Sequence, residues 1–353
     1  MYIQAQLSQE KMVVHSVTKV KMKRVLTGIT TTGEPHLGNY AGAIKPSIQI
    51  SNDSSVESYF FLADYHSIIK NLEPDLVRKA THQIAASWIA LGLSDRSIFY
   101  RQSDIPEIFE LSWILTCSTA KGLMNRAHAY KSATEVNTQE KSLDTDKGIT
   151  MGLFSYPILM AADILLFKAN EVPVGRDQIQ HVEMARDIAM RFNHFYGDLL
   201  VIPKAITSKT SETLLGLDGR KMSKSYHNTI PLFCEENHLK KLINKIKTSS
   251  LEPGVPKDYD GCTLYQIYCN FASDEEIKDI KNRYLDGISW GDMKAILFEK
   301  VNNFLKPSRV EYKRLLSEPD FIEKKLQEGA VRARNLSDPY IKQLRQAIGI
   351  SKI

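Results

Sequence analysis

Nowhere in the 353 residues does an apolar run reach the roughly 18 to 20 residues that a membrane-crossing helix needs. The richest stretch, YPILMAADILLF, is broken by Asp163. Cysteine is scarce. Four thiols, Cys117, Cys234, Cys262 and Cys269, cannot staple a chain of this size, which excludes a disulfide scaffold and points to a reducing, cytoplasmic setting. The dinucleotide fingerprint GxGxxG and the P-loop GxxxxGK[ST] are both missing, which weighs against dehydrogenases and P-loop NTPases. Internal repeats and low-complexity tracts are missing too.

What remains is the composition of an ordinary globular enzyme, 43% hydrophobic and 25% charged, with a net charge of +5 that is compatible with meeting polyanions. RVLTGI (24–29), SYFFLADYHSI (58–68) and SIFYRQSDIP (97–106) read as strands, separated by segments with helical spacing. One of those, DLVRKATHQIAASWIALGL, stops at Gly92. The polar stretch SATEVNTQEKSLDTDKGI reads as a mobile loop, and helix, short strand and helix follow it. Beyond about residue 230 the strand signals end and the chain is helical and Lys-rich. Strands alternating with helices predict an α/β fold with a parallel sheet. The expected division is a loosely ordered, basic extension over 1–23, a catalytic domain over 24–229 and a helical domain over 230–353 whose last helices pack back on the first part. A transit peptide is the alternative for the extension, since it is basic and poor in acids.

Two stretches invite phosphate. In TGEPHLGNY (32–40), a turn with Gly33 and Pro35 opens a helix near His36. A helix start offers unpaired N–H groups and partial positive charge. Gly38 leaves room for a flat group against the backbone, and His36 and Asn39 can hydrogen-bond a phosphate or ribose. Taken alone, a turn that only caps its own helix explains the same residues. In GLDGRKMSKSYHNTI (216–230), Arg220, Lys221 and Lys224 crowd a glycine-hinged loop. Such a loop suits something small, dense and negative.

PHLGN followed downstream by a literal KMSKS resembles the two signature motifs of the class I aminoacyl-tRNA synthetases. The resemblance implies a Rossmann-like parallel sheet of the HIGH type, ATP with Mg2+, and charge stabilisation of departing pyrophosphate by Lys221 and Lys224 with His36 and Asn39 opposite. It places Thr30, Thr31, Thr32, Gly38, Met222, Ser223 and Ser225 on the nucleotide as well. Lys131 is either a further phosphate contact or a solvated lysine.

YPILMAADILLF, VPVGRDQIQHVEMARDIAMRFN and EKKLQEGAVRARN…YIKQLRQAIG carry a narrower resemblance, to the tryptophanyl-tRNA synthetases of bacterial type, over nearly all of 24–350. It implies a tryptophan–tRNA ligase with L-tryptophan, ATP and tRNA(Trp) as substrates, and a homodimer. Asp163, in an otherwise apolar helix, is the right complement for an indole N–H, which only donates; an ion pair elsewhere in the core is the alternative. Met160 lies one turn earlier on the same face, and Val172 and Val174 can pack the ring. From the family, GRDQ bounds ribose and ammonium, so Gly175, Arg176, Asp177 and Gln178 are carried over. Arg176 departs from the acidic residue common there, and Thr30 replaces a frequent glutamine. His66 lines the amino-acid pocket or is structural.

The resemblance assigns the helical half to the tRNA anticodon. Lys240, Lys241, Lys245 and Lys247, with Arg332, Arg334, Lys342 and Arg345, are candidates for phosphate contacts. The apolar segments near Trp88 and Trp113 are candidates for a dimer interface. Some relatives hold an iron–sulfur cluster, but Ala272 stands where the final cysteine would be, so no cluster is expected. The competing readings are a tyrosyl-tRNA synthetase, another nucleotidyltransferase of the HIGH type and a non-catalytic RNA-binding relative.

Overall fold

In the computed structural model, residues 22–207 and 214–351 are described. The chain opens with β1 (Lys23–Thr30), α1 (Leu37–Asn39), a π-helical turn (Tyr40–Ile44) and α2 (Lys45–Asn52). Then come β2 (Val56–Ala63), α3 (Asp64–Ser67), α4 (Pro74–Ala90), β3 (Ile98–Arg101) and a 3-10 turn (Gln102–Asp104). The helices α5 (Pro106–Ser118), α6 (Lys121–Met124), α7 (His128–Gln139) and α8 (Met151–Leu166) lead to β4 (Glu171–Pro173), a 3-10 turn (Arg176–Gln178), α9 (Ile179–Tyr196) and β5 (Lys204–Ile206). After a 3-10 turn at Lys224–Tyr226 the chain is helical: α10 (Glu236–Lys245), α11 (Thr263–Cys269), α12 (Asp274–Leu285), α13 (Trp290–Ser317) and α14 (Pro319–Ala347). Among the described residues, no helix is long and apolar enough to cross a membrane.

The strands are parallel and ordered β3-β2-β1-β4-β5. From β1 the chain winds outward to β2 and β3, then crosses back to β4 on the other flank of β1. The crevice beyond the strand ends at such a reversal is where open α/β sheets bind ligands. Successive side chains of β2 explain why the sheet is covered twice: Tyr59, Phe61 and Ala63 enter one core, while Phe60 and Leu62 enter the other. The second of these cores continues through Leu239, Leu264, Leu297, Val301 and Leu305, so the helical half and the sheet share one apolar interior. Tyr40 stacks on Phe271 with ring centroids 5.1 Å apart, and Lys45 Nζ donates to the Asn270 carbonyl at 2.7 Å, tying the region after β1 to the end of α11.

Several expectations are corrected. Lys23 belongs to β1; of the rest of the expected extension, 1–22, only Met22 is among the described residues. Asp64–Ser67 is a helical turn, because the apolar strand signal of β2 ends at Ala63. The expected loop at 132–149 begins as helix, with α7 reaching Gln139. β5 carries only three residues, too few for a readable alternation. Trp88 is fully buried against Phe60 and Phe99, so it is core; Trp113 is 70% exposed.

The C-terminal arginines serve the fold. α14 lies along β3, the edge of the sheet, which covers its unpaired flank. Arg332 donates to the carbonyls of Asp95, Arg96 and Ser97. Arg334 pairs with buried Glu107 at 2.8 Å, Arg345 with Glu110, and Lys342 with Asp338 at 2.7 Å. These four cations are thus engaged within the protein. Lys240, Lys241, Lys245 and Lys247 remain exposed, Lys240 lying 5.6 Å from the Phe298 ring centre.

Candidate active site

A cleft of about 770 Å³ opens at the carboxyl ends of β1 and β4. Its floor is β1 and Phe61. A methyl group on Gly28 would stand 2.4 Å from the Phe61 ring, so glycine here is what lets that ring lie across the strand.

One end is built by the two cationic motifs. Pro35–Leu37 is zipped to the segment that follows the loop: Leu37 N–H donates to the Ile230 carbonyl and Leu232 N–H to the Pro35 carbonyl, both at 2.9 Å. His36 caps α1, its Nδ1 accepting the Gly38 N–H at 3.1 Å, while Asn39 Oδ1 accepts the His36 N–H at 3.1 Å. Burial, then the Lys224 charge, lowers the His36 pKa to about 4. The ring is therefore neutral at pH 7, and with Nδ1 accepting, its proton sits on Nε2 as a donor. Asn39 has its oxygen occupied, so it offers the cleft its amide N–H groups. Gly38 lies between the His36 ring and Met222, 3.0 Å and 3.5 Å from a hypothetical methyl.

The loop itself is a tight hairpin-like turn. Met222 N–H donates to the Leu214 carbonyl, Gly216 N–H to Arg220, and Gly219 takes φ +83°, which glycine tolerates. Buried Asn228 organises it: its Oδ1 accepts the Ser223 N–H at 2.8 Å, and its Nδ2 donates to Asp218 at 2.7 Å and to the Lys221 carbonyl at 3.1 Å. Arg220 pairs with Asp218 and lies 4.4 Å from the Tyr226 ring centre, so this cation is already committed. Lys221 and Lys224 line the cleft. Lys224 Nζ donates to the Thr32 carbonyl, and burial pulls its pKa below the ordinary lysine value, opposed by Glu34.

At the other end Asp163 is fully buried on α8 and still lines the cleft. Gln102 Nε2 donates to its Oδ1 at 2.8 Å and Oδ2 at 3.1 Å, and His66 Nε2 lies 2.9 Å from Oδ2. Burial pushes the Asp163 carboxyl up; the His66 and Gln102 hydrogen bonds oppose this. An ionised carboxylate has about four acceptor positions, so these partners leave room for one more donor. Met160, Val172, Val174, Gly175 and Gln178 line the same space.

Thr30, Thr32, Gly38 and Ser223 also line the cleft. Thr31 is buried, its hydroxyl unpartnered, and is not among the lining residues; nor are Arg176 and Ser225, both exposed, or Lys131. The side chain of Asp177 lies outside the described residues. The structure adds Tyr156, whose hydroxyl is 2.6 Å from His181 Nε2, while His181 Nδ1 is 2.8 Å from Gln178 Oε1. Gln102, Asn228 and His181 were not singled out in sequence: the partners of Gln102 lie on other elements, and the folding of the loop around Asn228 and of the turn around His181 leaves no mark in the spacing. Tyr156 and His181 stand within the quoted blocks, next to Asp163 and Gln178, which was the available signal.

Residues 19–306 match the family described as tRNA synthetases class I (W and Y). The chain belongs to this family. The synthetase is 53% identical to the tryptophan–tRNA ligase of Pseudomonas aeruginosa over 334 residues, covering 94% of this chain and 74% of that one. With the Neisseria meningitidis tryptophan–tRNA ligase it shares 53% over 329 residues, 93% of this chain and 98% of the relative. The Campylobacter jejuni tryptophanyl-tRNA synthetase, solved in complex with ADP and tryptophan, superposes with a TM-score of 0.80 at 39% identity, covering 92% and 99% of the two chains. The parallel sheet followed by helices is thus the fold of this synthetase family.

Proposed function

We propose that this synthetase is a tryptophan–tRNA ligase, which activates L-tryptophan with ATP and passes it to tRNA(Trp). The observation that carries the reading is that Asp163 and Lys224 line one continuous cleft, so an indole acceptor and a phosphate cation serve the same space. Tryptophan enters with its N–H toward Asp163 and its ring between Met160, Val172 and Val174. Its carboxylate oxygen attacks the α-phosphorus of ATP, the bond from that phosphorus to the bridging oxygen breaks, and pyrophosphate leaves with the added charge. Lys221, Lys224 and the Nε2–H of His36 face that charge. In the second step a hydroxyl of the tRNA terminal ribose attacks the carbonyl, and AMP leaves.

Asp163 is the sole carboxylate among the described lining residues and belongs to the far end; no group of three His, Cys, Asp or Glu among the described residues is placed to hold a metal. The described donors do not make a resident Mg2+ site. In this reading Mg2+ arrives on the nucleotide, held by phosphate oxygens. The proposal includes a homodimer, for which exposed Trp113 on α5 is a candidate surface, and cytoplasmic action; mass measurement in solution tests the former.

ATP–pyrophosphate exchange with each of the twenty amino acids tests the function. Tryptophan is expected to dominate, and greater exchange with tyrosine would sink the reading. Asp163→Ala is expected to raise KM for tryptophan with little effect on KM for ATP.

A further inference from the structure

Gln102 is fully buried and is not among the residues that line the cleft. Its amide nitrogen nonetheless straddles the Asp163 carboxylate, at 2.8 Å and 3.1 Å. Its own oxygen accepts the Tyr65 N–H at 3.2 Å, which fixes which end of the amide faces the acid. The turn that carries it is anchored on both sides. Arg101 pairs with Asp104 at 2.9 Å and Glu323 at 2.8 Å, and Ser103 N–H donates to Asp64 at 3.1 Å.

We infer that Gln102 is the positioning residue through which Asp163 distinguishes an indole N–H from a ring that lacks one. This rests on the tryptophan reading above and deepens it. The chemistry of the amide is what matters. A lysine or arginine at this place would neutralise the carboxylate, and the site would no longer need a donor from its ligand. An apolar residue would remove one of the groups that oppose burial and leave His66 alone to hold the charged form; the acid would be protonated more readily, and a protonated carboxyl can itself donate, so it would tolerate an acceptor or an apolar edge. Gln102 does neither. It donates to the charged form without cancelling the charge, and it sets the plane of the carboxylate. With His66 on Oδ2 and Gln102 across both oxygens, the unmet capacity is directed to the ligand. A ligand without an N–H then leaves a buried acceptor unpaired, and sites of this kind reject such analogues by factors on the order of 10⁴.

The test compares L-tryptophan with the isostere in which sulfur replaces the indole N–H, by pyrophosphate exchange, in wild type, Gln102→Met and Gln102→Glu. Methionine keeps the volume and removes the donor; glutamate keeps the shape but sets a second buried carboxyl against Asp163, so the pair shares one proton and Asp163 no longer stands fully ionised toward the ligand; one variant reads the effect should the other not fold. The ratio of kcat/KM for the two amino acids is expected to fall by about tenfold or more, with KM for ATP unchanged. An unchanged ratio in a folded variant, or an equal loss for both amino acids, would overturn the inference. Its failure and the failure of the function reading are distinguishable. The latter appears in the wild type as absent tryptophan-dependent exchange, which overturns both; the former appears only in the variants.

Discussion

Gly329 of α14 sits so close to Phe99 of β3 that a methyl group on it would stand 1.6 Å from the Phe99 carbonyl oxygen. The helix can cover the edge strand only because this position has no side chain. Backbone on both sides leaves nothing flexible to yield. Gly329→Ala is therefore expected to destabilise the protein by about 2–3 kcal/mol through overpacking, read as a lowered midpoint in thermal or urea unfolding.

Arg334→Ala tests the reassignment of the C-terminal cations. It leaves Glu107 buried without its ion partner, at a cost of about 1–3 kcal/mol. Unfolding should report that loss while kcat/KM for tRNA aminoacylation stays near wild type. A large fall in aminoacylation with unchanged stability would restore the RNA-contact role.

Lys224→Ala should slow adenylate formation by about 10²-fold with little change in KM for tryptophan. Arg220→Ala should do much less, since that guanidinium is held by Asp218 and Tyr226. Single-turnover pyrophosphate release measures both, and equal losses would refute the division of labour.

The buried His36 ring makes stability depend on acidity. Its folded pKa of about 4 lies below the ordinary 6.5, so between those values the unfolded chain binds the extra proton. Stability should rise with pH through that window and fall as pH drops from 6.5 toward 4. The fall should be shallower in His36→Gln, followed by thermal unfolding across the range.

Legibility in sequence followed the length of the signal. KMSKS and PHLGN are contiguous, so both could be read, and Asp163 stood out as a charge in an apolar helix. Gln102 could not be, because an isolated amide looks solvated until its partner Asp163 is brought to it by another element; Asn228 lies in the same loop as its partners, but nothing in the spacing shows that the loop folds back on it. The partners of Arg332, Arg334 and Arg345 were hidden for the same reason as that of Gln102. A basic helix face looks free in one dimension, and its acceptors lie in the segment just before β3 and on α5. The Asp64–Ser67 turn was hidden by the aromatic run that precedes it.

The contact between Tyr40 and Phe271 has a mechanical meaning. Tyr40 follows Asn39 directly in the chain, and Lys45 grips the end of α11 a few residues on. The turn that presents His36 is thus bolted to the far half of the molecule by a ring and an ammonium group. A displaced α11 would have to break the ring stack and the ammonium contact or carry the His36 turn with it, so the helical half is not a passive appendage.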